Sequence, residues 1–233
     1  MKNTTSEQKK SSSSTGFWVW GLSAITVGIL TGICILLWYT PRAYKPFQTE
    51  NPEQVSLYLT HELGPKFFNQ IQRNGPFELI ISQSGLNDIA SRWEWPQQFG
   101  EMSFSDPYIT FSNQSIFLMG TLTYKEVSSV ITIITIPAMD SDGKINLNIQ
   151  SVRLGMVPIR ALITKLAQKA FEDNRSSFED DPKTEENIQA IIRNEPFDPI
   201  FSFPDHWVRI TDFSIEEGVL KLTLVSEEAK RPV

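Results

Sequence analysis

The 233-residue sequence contains one cysteine, Cys34, and only two histidines, His61 and His206. One cysteine cannot form an intrachain disulfide, so a folded domain must be stabilised by an ordinary hydrophobic core. Zinc sites need several cysteine or histidine ligands at close spacings, and neither histidine has a second such ligand near it in the sequence. The sequence therefore predicts neither a metal site nor a cofactor.

Signatures of catalysis are also absent from the sequence. It contains no nucleophile elbow and no glycine-rich phosphate loop. The segment Asp140-Ser141-Asp142-Gly143 begins like a calcium-binding loop, but the later acidic ligands of such a loop do not follow. We predict that this segment is a hairpin turn and that the protein is not an enzyme.

Basic residues are fewer than acidic residues in the sequence. The chain has 21 Lys and Arg against 27 Asp and Glu, which gives a net charge of −6. Three of the cations, Lys2, Lys9 and Lys10, precede the first long apolar stretch, so the rest of the chain is more acidic than the whole. Binding to nucleic acid needs clustered cations, and we therefore expect no nucleic-acid partner.

A long apolar stretch is present near the N-terminus. Phe17–Tyr39 is a run of 23 residues without a charged side chain. As a helix it would be roughly 34 Å long, which is enough to cross a hydrocarbon core of about 30 Å. Trp18 and Trp20 near its start, and Trp38 with Tyr39 at its end, suit the two membrane–water interfaces. The sequence therefore predicts a transmembrane helix over residues 17–39.

The flanking charges predict the orientation of this span. The three N-terminal lysines and the terminal amine precede it, whereas Arg42 and Lys45 follow it. This small bias favours a cytoplasmic N-terminus and an extracytoplasmic C-terminal domain. A cleaved signal peptide is the alternative, but it would have a shorter apolar region and a cleavage site with small residues. The stretch ends instead in bulky residues followed by Pro41, so we expect an uncleaved anchor in the cell membrane.

Four regions follow from these boundaries. Residues 1–16 are rich in serine and are predicted to form a disordered cytoplasmic stub. Residues 17–39 are the transmembrane helix, residues 40–50 a linker, and residues 51–233 one extracytoplasmic domain. That last region is long enough to bury a core of its own.

Small residues recur at helical spacing within the predicted span. Ala24, Gly28 and Gly32 are four residues apart and would share one face of the helix. Such a stripe lets two helices approach closely, so it is a candidate surface for a homodimer. The alternative is that these glycines are ordinary components of a single span.

The rest of the pattern predicts an α+β fold in which a long antiparallel sheet packs against amphipathic helices. Strands are predicted at Phe77–Ile81, Tyr108–Phe111, Ile116–Tyr124, Val127–Ile136, Ile145–Ile149, Trp207–Ile215 and Val219–Val225. Helices are predicted from Asn51, over Phe67–Ile71, Leu86–Trp93 and Pro158–Phe171, and around Ile188–Ile192, with a mobile acidic loop over Glu172–Glu186.

The predicted helix after Pro158 carries the candidate binding surface. Its apolar face is formed by Ile159, Leu162, Ile163, Leu166 and Phe171. These residues either belong to a packed core or line a groove between the helix and a curved sheet, which would suit an acyl chain. Composition does not separate the two alternatives.

Three parts of the sequence resemble the YpmS-type family of bacterial membrane-anchored proteins. They are Ile81–Asp88 with its Leu86-Asn87 pair, the glycine-interrupted stretch Phe117–Leu122, and Asp142–Leu147 followed by Val152–Pro158. In that family a leucine-asparagine helix, a glycine-interrupted strand and a strand, glycine, x, x, proline, helix junction recur in this order. The resemblance spans Phe77 to Phe171 and implies an extracytoplasmic α+β domain akin to elongated lipid-binding folds, without catalytic residues. Arg160 departs from the family, which often keeps that position apolar.

The sequence thus predicts a non-enzymatic binding domain on a membrane anchor, with a lipid or another apolar ligand as its partner. The alternative is a structural or assembly protein of the cell envelope. In that case the sheet edge or the acidic loop would hold a protein partner.

Overall fold

The computed structural model describes residues 15–47, 49, 53–73, 75–173, 175, 182–203 and 206–228. The chain divides into two compact units, of which the first ends at Leu36 and the second begins at Leu37. The predicted helix start at Asn51-Pro52 and most of the predicted stub lie outside the described residues.

The first unit is represented by one helix. This helix, α1, spans Thr15–Leu37, so it begins two residues before the predicted span and ends two residues before Tyr39. Over the part of the chain that the structure describes, no helix is both long enough and apolar enough to cross a membrane.

The second unit is α+β, as predicted. Its strands in chain order are β1 Gly75–Ser82, β2 Gln97–Phe99, β3 Met102–Ser112, β4 Ser115–Tyr124, β5 Val127–Thr135, β6 Ala138–Met139, β7 Ile145–Asn146, β8 Ile149–Leu154, β9 Val157–Pro158, β10 Ile200–Phe203, β11 His206–Glu216 and β12 Val219–Glu228. Its helices are a π-helix at Tyr58–Leu63, then α2 Gly64–Ile71, α3 Gln83–Ser91, α4 Arg160–Asp173 and α5 Pro182–Arg193.

The strands form two antiparallel sheets and a short ribbon rather than one long sheet. The six-stranded sheet has the order β2-β3-β4-β5-β8-β9, which is the predicted meander. The four-stranded sheet has the order β1-β12-β11-β10, and β6 pairs with β7 in the ribbon. In the four-stranded sheet, β1 pairs with β12, which is far away in the sequence. The periodicity of single strands does not reveal such a long-range pairing.

The main apolar cluster lies on the four-stranded sheet. Buried side chains of its strands pack with the end of α2, namely Ile71, Phe77, Leu79, Val208 and Leu224. The Ser226 hydroxyl also donates to the Ile71 carbonyl oxygen at 2.8 Å. Helix α2 is thereby fixed on the sheet both by apolar burial and by a buried hydrogen bond.

Two predicted boundaries were wrong for identifiable physical reasons. Pro158 lies in β9, the outer strand of its sheet, and α4 begins only at Arg160. An outer strand accepts proline because one of its edges needs no N–H donor. The predicted strand at Ile145–Ile149 is interrupted by Asn148, whose φ is 46° and whose N–H donates to Asn146 Oδ1 at 2.8 Å. This asparagine turn separates β7 from β8.

The segment at Asp140 is a turn, as predicted. Asp140 Oδ1 accepts hydrogen bonds of 2.9 Å from the backbone N–H groups of Asp142 and Lys144. Gly143 follows with a φ of 76°, a conformation that glycine adopts without strain.

Helix α3 links the two sheets through its side-chain amides. The buried Asn87 accepts from the Ile109 N–H and donates to the Ile109 carbonyl, both at 2.7 Å. Gln83 Oε1 accepts from the Phe111 N–H at 2.9 Å. Since β2 pairs with β3 only from Met102 to Phe104, these amides take the place of a neighbouring strand on the remaining edge of β3.

A glycine allows this helix to sit close to the π-helix. A Cβ at Gly85 would lie 2.3 Å from the Tyr58 ring, which is far inside van der Waals contact. The Tyr58 hydroxyl accepts from the Ser82 N–H at 3.0 Å, and the Ser82 hydroxyl in turn accepts from the Gly85 N–H at 3.1 Å as the N-cap of α3. Ser82, at the junction of β1 and α3, is therefore hydrogen-bonded through its backbone N–H to Tyr58 and through its side chain to Gly85.

We expect Asn87→Ala to destabilise the second unit strongly. The change leaves the N–H and the carbonyl of Ile109 without their partners, and each unpaired buried group costs about 1–3 kcal/mol. Urea unfolding followed by tryptophan fluorescence should show a midpoint well below that of the wild type. Asn69→Ala, at an exposed position on α2, is the control and should change little. Equal midpoints for the two variants would contradict this role of Asn87.

Candidate functional site

A cavity of about 410 Å³ lies between α4 and α5. Its volume falls within the range of about 300–1,000 Å³ that is typical of ligand pockets. Its lining is contributed by both helices and by the residue Arg175 between them, and consists of Gln168, Phe171, Glu172, Arg175, Gln189, Ile192 and Arg193.

The cavity has an apolar part formed by one ring and one aliphatic side chain. Phe171 is buried near the end of α4, and Ile192 is half-buried near the end of α5. Both helices are amphipathic, so each turns its apolar face inward and brings these residues towards the same space. An acyl or other apolar group would find its contacts here.

The rest of the lining is polar and carries two guanidinium groups. Arg175 pairs with Glu185 of α5 at 2.8 Å. Arg193 forms no ion pair with any residue that the structure describes, and its side chain is exposed. A guanidinium binds a carboxylate or phosphate in a bidentate manner. Because Arg175 is already paired and Glu172 is an acid in the same lining, Arg193 is the cation that would meet an anionic head, and the lining suits an amphiphile with a short apolar part.

Helix α5 is held in place at both of its ends. At the N-terminal end, Lys183 Nζ lies 3.2 Å from Asp198 Oδ2, and Arg209 approaches the same carboxylate at 3.6 Å. At the C-terminal end, Asn194 adopts a φ of 59°, and its Oδ1 accepts from the Ile149 N–H at 2.6 Å. The position of the α5 wall is therefore set by contacts outside the cavity.

The ion pair at the start of α5 shifts the pKa values of both Lys183 and Asp198. The hydrogen bond from Lys183 holds the pKa of the Asp198 carboxyl below its usual value. The same hydrogen bond raises the pKa of Lys183. Both shifts stabilise the charged forms, so the contact persists at neutral pH.

The candidate groove residues from the sequence are only partly brought together. Phe171 lines the cavity, whereas Ile163 and Leu166 on α4 and Ile159 just before it are half-buried and do not line it. Leu162 is 57% exposed, so it belongs to neither a packed core nor the cavity. Of the five residues predicted to line a groove, only Phe171 lines the cavity, which lies at the C-terminal end of α4.

The small-residue stripe of α1 stays a prediction. A Cβ at Gly28 or Gly32 would meet no atom within 4 Å among the described residues. The side chain of Ala24 lies outside the described part of the chain.

Most of the lining residues were not found from the sequence. The stretch Glu172–Glu186 was predicted to be a mobile loop because it is acidic and poor in apolar residues. Its start belongs to α4, which continues to Asp173, and its end to α5, which begins at Pro182, while residues 174 and 176–181 lie outside the described residues. The spacing of Ile188, Ile191 and Ile192 was a usable signal for α5. Which face of α5 meets α4 is a tertiary property that this spacing does not encode.

Within the described ranges, no group of three or more His, Cys, Asp or Glu side chains could hold a metal ion. The chain matches no protein-family model, no curated protein and no solved structure. The resemblance to the YpmS-type family therefore stays a prediction.

We expect the Lys183–Asp198 contact to contribute modestly to stability in a pH-dependent way. Because the pKa of Asp198 is lowered on folding, its contribution is present above the unfolded pKa of about 3.9 and is lost as the pH falls through the lower folded value. Both side chains are partly exposed, so Asp198→Asn should cost only about 0.2–1 kcal/mol at pH 7. Urea unfolding at pH 7 and at decreasing pH should show this difference shrinking. A difference that grows in acid would contradict the assignment.

Proposed function

We propose that the protein is a single-span membrane protein whose α+β domain binds an amphiphilic ligand without catalysing a reaction. The N-terminus lies in the cytoplasm and the domain outside it. Two separate sets of observations support the two parts of this proposal, the anchor and the binding site.

The anchor is supported by the composition of the N-terminal stretch. Phe17–Tyr39 carries no charged side chain, and α1 covers most of it as a continuous helix. A continuous α-helix satisfies its central backbone hydrogen bonds internally, as the hydrocarbon interior requires. The flanking lysines, which lie before the stretch, favour the cytoplasmic N-terminus.

We expect the mature protein to keep its N-terminus and to resist extraction by alkaline carbonate. Protease added from outside, to spheroplasts where an outer membrane is present, should digest the domain and spare a tag fused to Met1. This follows from a span that is too long for a signal peptide and lacks a small-residue cleavage site. Loss of the tag during export would instead identify the stretch as a cleaved signal.

The cavity between α4 and α5 is the observation that carries the binding proposal. It places Phe171 and Ile192 in the same lining as Arg193, so that an apolar group and an anionic group can be bound in one cavity. The lining contains no serine, cysteine, threonine or histidine, and its one carboxylate, Glu172, has no nucleophilic side chain beside it in the lining. Binding of an anionic lipid fits this chemistry better than turnover.

We expect full-length protein in liposomes to be labelled on α5 by phosphatidylglycerol that carries a photoactivatable diazirine in its acyl chain. Arg193→Glu should reduce this labelling because it replaces a cation at the cavity with an anion. Peptide mapping by mass spectrometry separates adducts on α5 from adducts on the span, and the latter should be unchanged.

Leu162→Ala is the matched control for this experiment. Leu162 lies on α4 but outside the cavity, so its truncation should leave the labelling of α5 intact. A loss of labelling in this variant would show that the lipid contacts the exposed face of α4 at Leu162 and not the cavity. Adducts confined to the span in the wild type would exclude a lipid in the cavity and leave the envelope-scaffold alternative.

A further inference from the structure

A row of apolar side chains crosses one end of the six-stranded sheet. Phe99 pairs with Met102, Met102 with Tyr124, and Tyr124 with Val127, across four successive strands. Residues directly opposite each other in antiparallel strands point to the same face. The four side chains therefore form one continuous row on a single face of the sheet.

Tryptophans extend this row. Trp93 stacks on Trp95 with ring centroids 6.3 Å apart, and Trp95 meets Phe104 edge to face at 5.5 Å. Phe104 lies two residues from Met102 on β3 and hence on the same face. We use the name aromatic patch for Trp93, Phe99, Tyr124 and Val127, which are each between 47% and 66% exposed.

The aromatic patch lies next to the point where the chain enters the second unit. The Ser129 hydroxyl donates a short hydrogen bond to the Leu37 carbonyl oxygen. Ser129 is two residues from Val127 on β5, so both side chains share the patch face. Trp38 and Tyr39, which follow Leu37 directly, are also exposed.

We propose that the aromatic patch rests in the headgroup region of the membrane that carries the anchor. This inference depends on the anchor of the proposed function, but not on the cavity. If residues 17–39 span the bilayer, Leu37 and Trp38 lie at its surface, and the hydrogen bond to Leu37 brings the β4–β5 hairpin to the same depth. Tryptophan and tyrosine favour this region because their rings are apolar while their N–H and O–H groups remain hydrated.

The charges around the aromatic patch define the kind of lipid surface that it fits. Lys125 at the hairpin tip lies 5.2 Å from the Tyr124 ring centroid. Three carboxylates, Glu94, Glu101 and Glu126, are close to the patch in the sequence, and Glu101 raises the pKa of the Tyr124 hydroxyl. These acids offset the cation, so attraction to anionic lipid contributes little. Burial of the aromatic rings drives the contact, and zwitterionic lipid suffices.

Nitroxide depth measurements on full-length protein in phosphatidylcholine liposomes test this proposal. Cys34→Ser removes the native thiol, and Val127→Cys then places a spin label in the patch at an exposed position. Ile136→Cys is the control, an exposed site nine residues further along and about 30 Å away at ~3.3 Å per residue. The label at 127 should be several-fold less accessible to a water-soluble nickel chelate than the label at 136, and more accessible to oxygen.

Each other outcome contradicts a defined part of the inference. Equal access of the chelate to both labels, in protein that floats with the liposomes, would overturn the membrane contact and leave the anchor intact. Protection from the chelate without a gain in oxygen access would also overturn it, since a protein surface would then cover the patch. Failure of the protein to float with the liposomes would remove the anchor and this inference together.

Discussion

The second unit depends on two side-chain amides that replace a strand. Beyond Phe104, no strand among the described residues pairs with this edge of β3, and an edge of this kind exposes backbone donors and acceptors. Asn87 and Gln83 bond to that edge from α3, and α3 follows β1 without a loop. The four-stranded sheet thus reaches the six-stranded sheet through one short helix. A hydrogen bond of 3.1 Å from the Gly218 N–H to the Phe111 carbonyl extends the same junction to the turn between β11 and β12.

The cavity depends on the contacts that position the two ends of α5. At the start of the helix, Lys183 forms an ion pair with Asp198, just before β10. At its end, Asn194 accepts a hydrogen bond from the Ile149 N–H at the start of β8. A helix that is positioned by its ends does not need to pack tightly along its length, so space remains beside α4. This explains how a domain of ordinary composition keeps an open site that is lined partly by arginine. It also separates the groups that fix the site from the groups that would contact a ligand.

Local elements were largely predictable from the sequence, and their assembly was not. The strands β3, β4 and β5, the hairpin of β11 and β12 and the glycine turn after Asp140 follow from periodicity and turn chemistry. The division into two sheets depends on pairing between β1 and β12, which are far apart in the chain. The helix around Ile188–Ile192 was predicted, but most of the cavity lining was not, because isoleucine spacing does not reveal which face of α5 meets α4. The aromatic patch was missed because its members come from separate segments that only strand register brings into one row.

The pairing of β1 with β12 also sets the order in which the protein can become structured. A chain that is synthesised from its N-terminus offers the six-stranded meander as soon as β9 is complete, because its pairings are between strands close in sequence. The four-stranded sheet must wait for the last strand, with β1 and the apolar face of α2 uncovered meanwhile. The nascent polypeptide therefore carries an unpaired strand edge until β12 has been synthesised, and during that interval a chaperone would bind the exposed apolar surface.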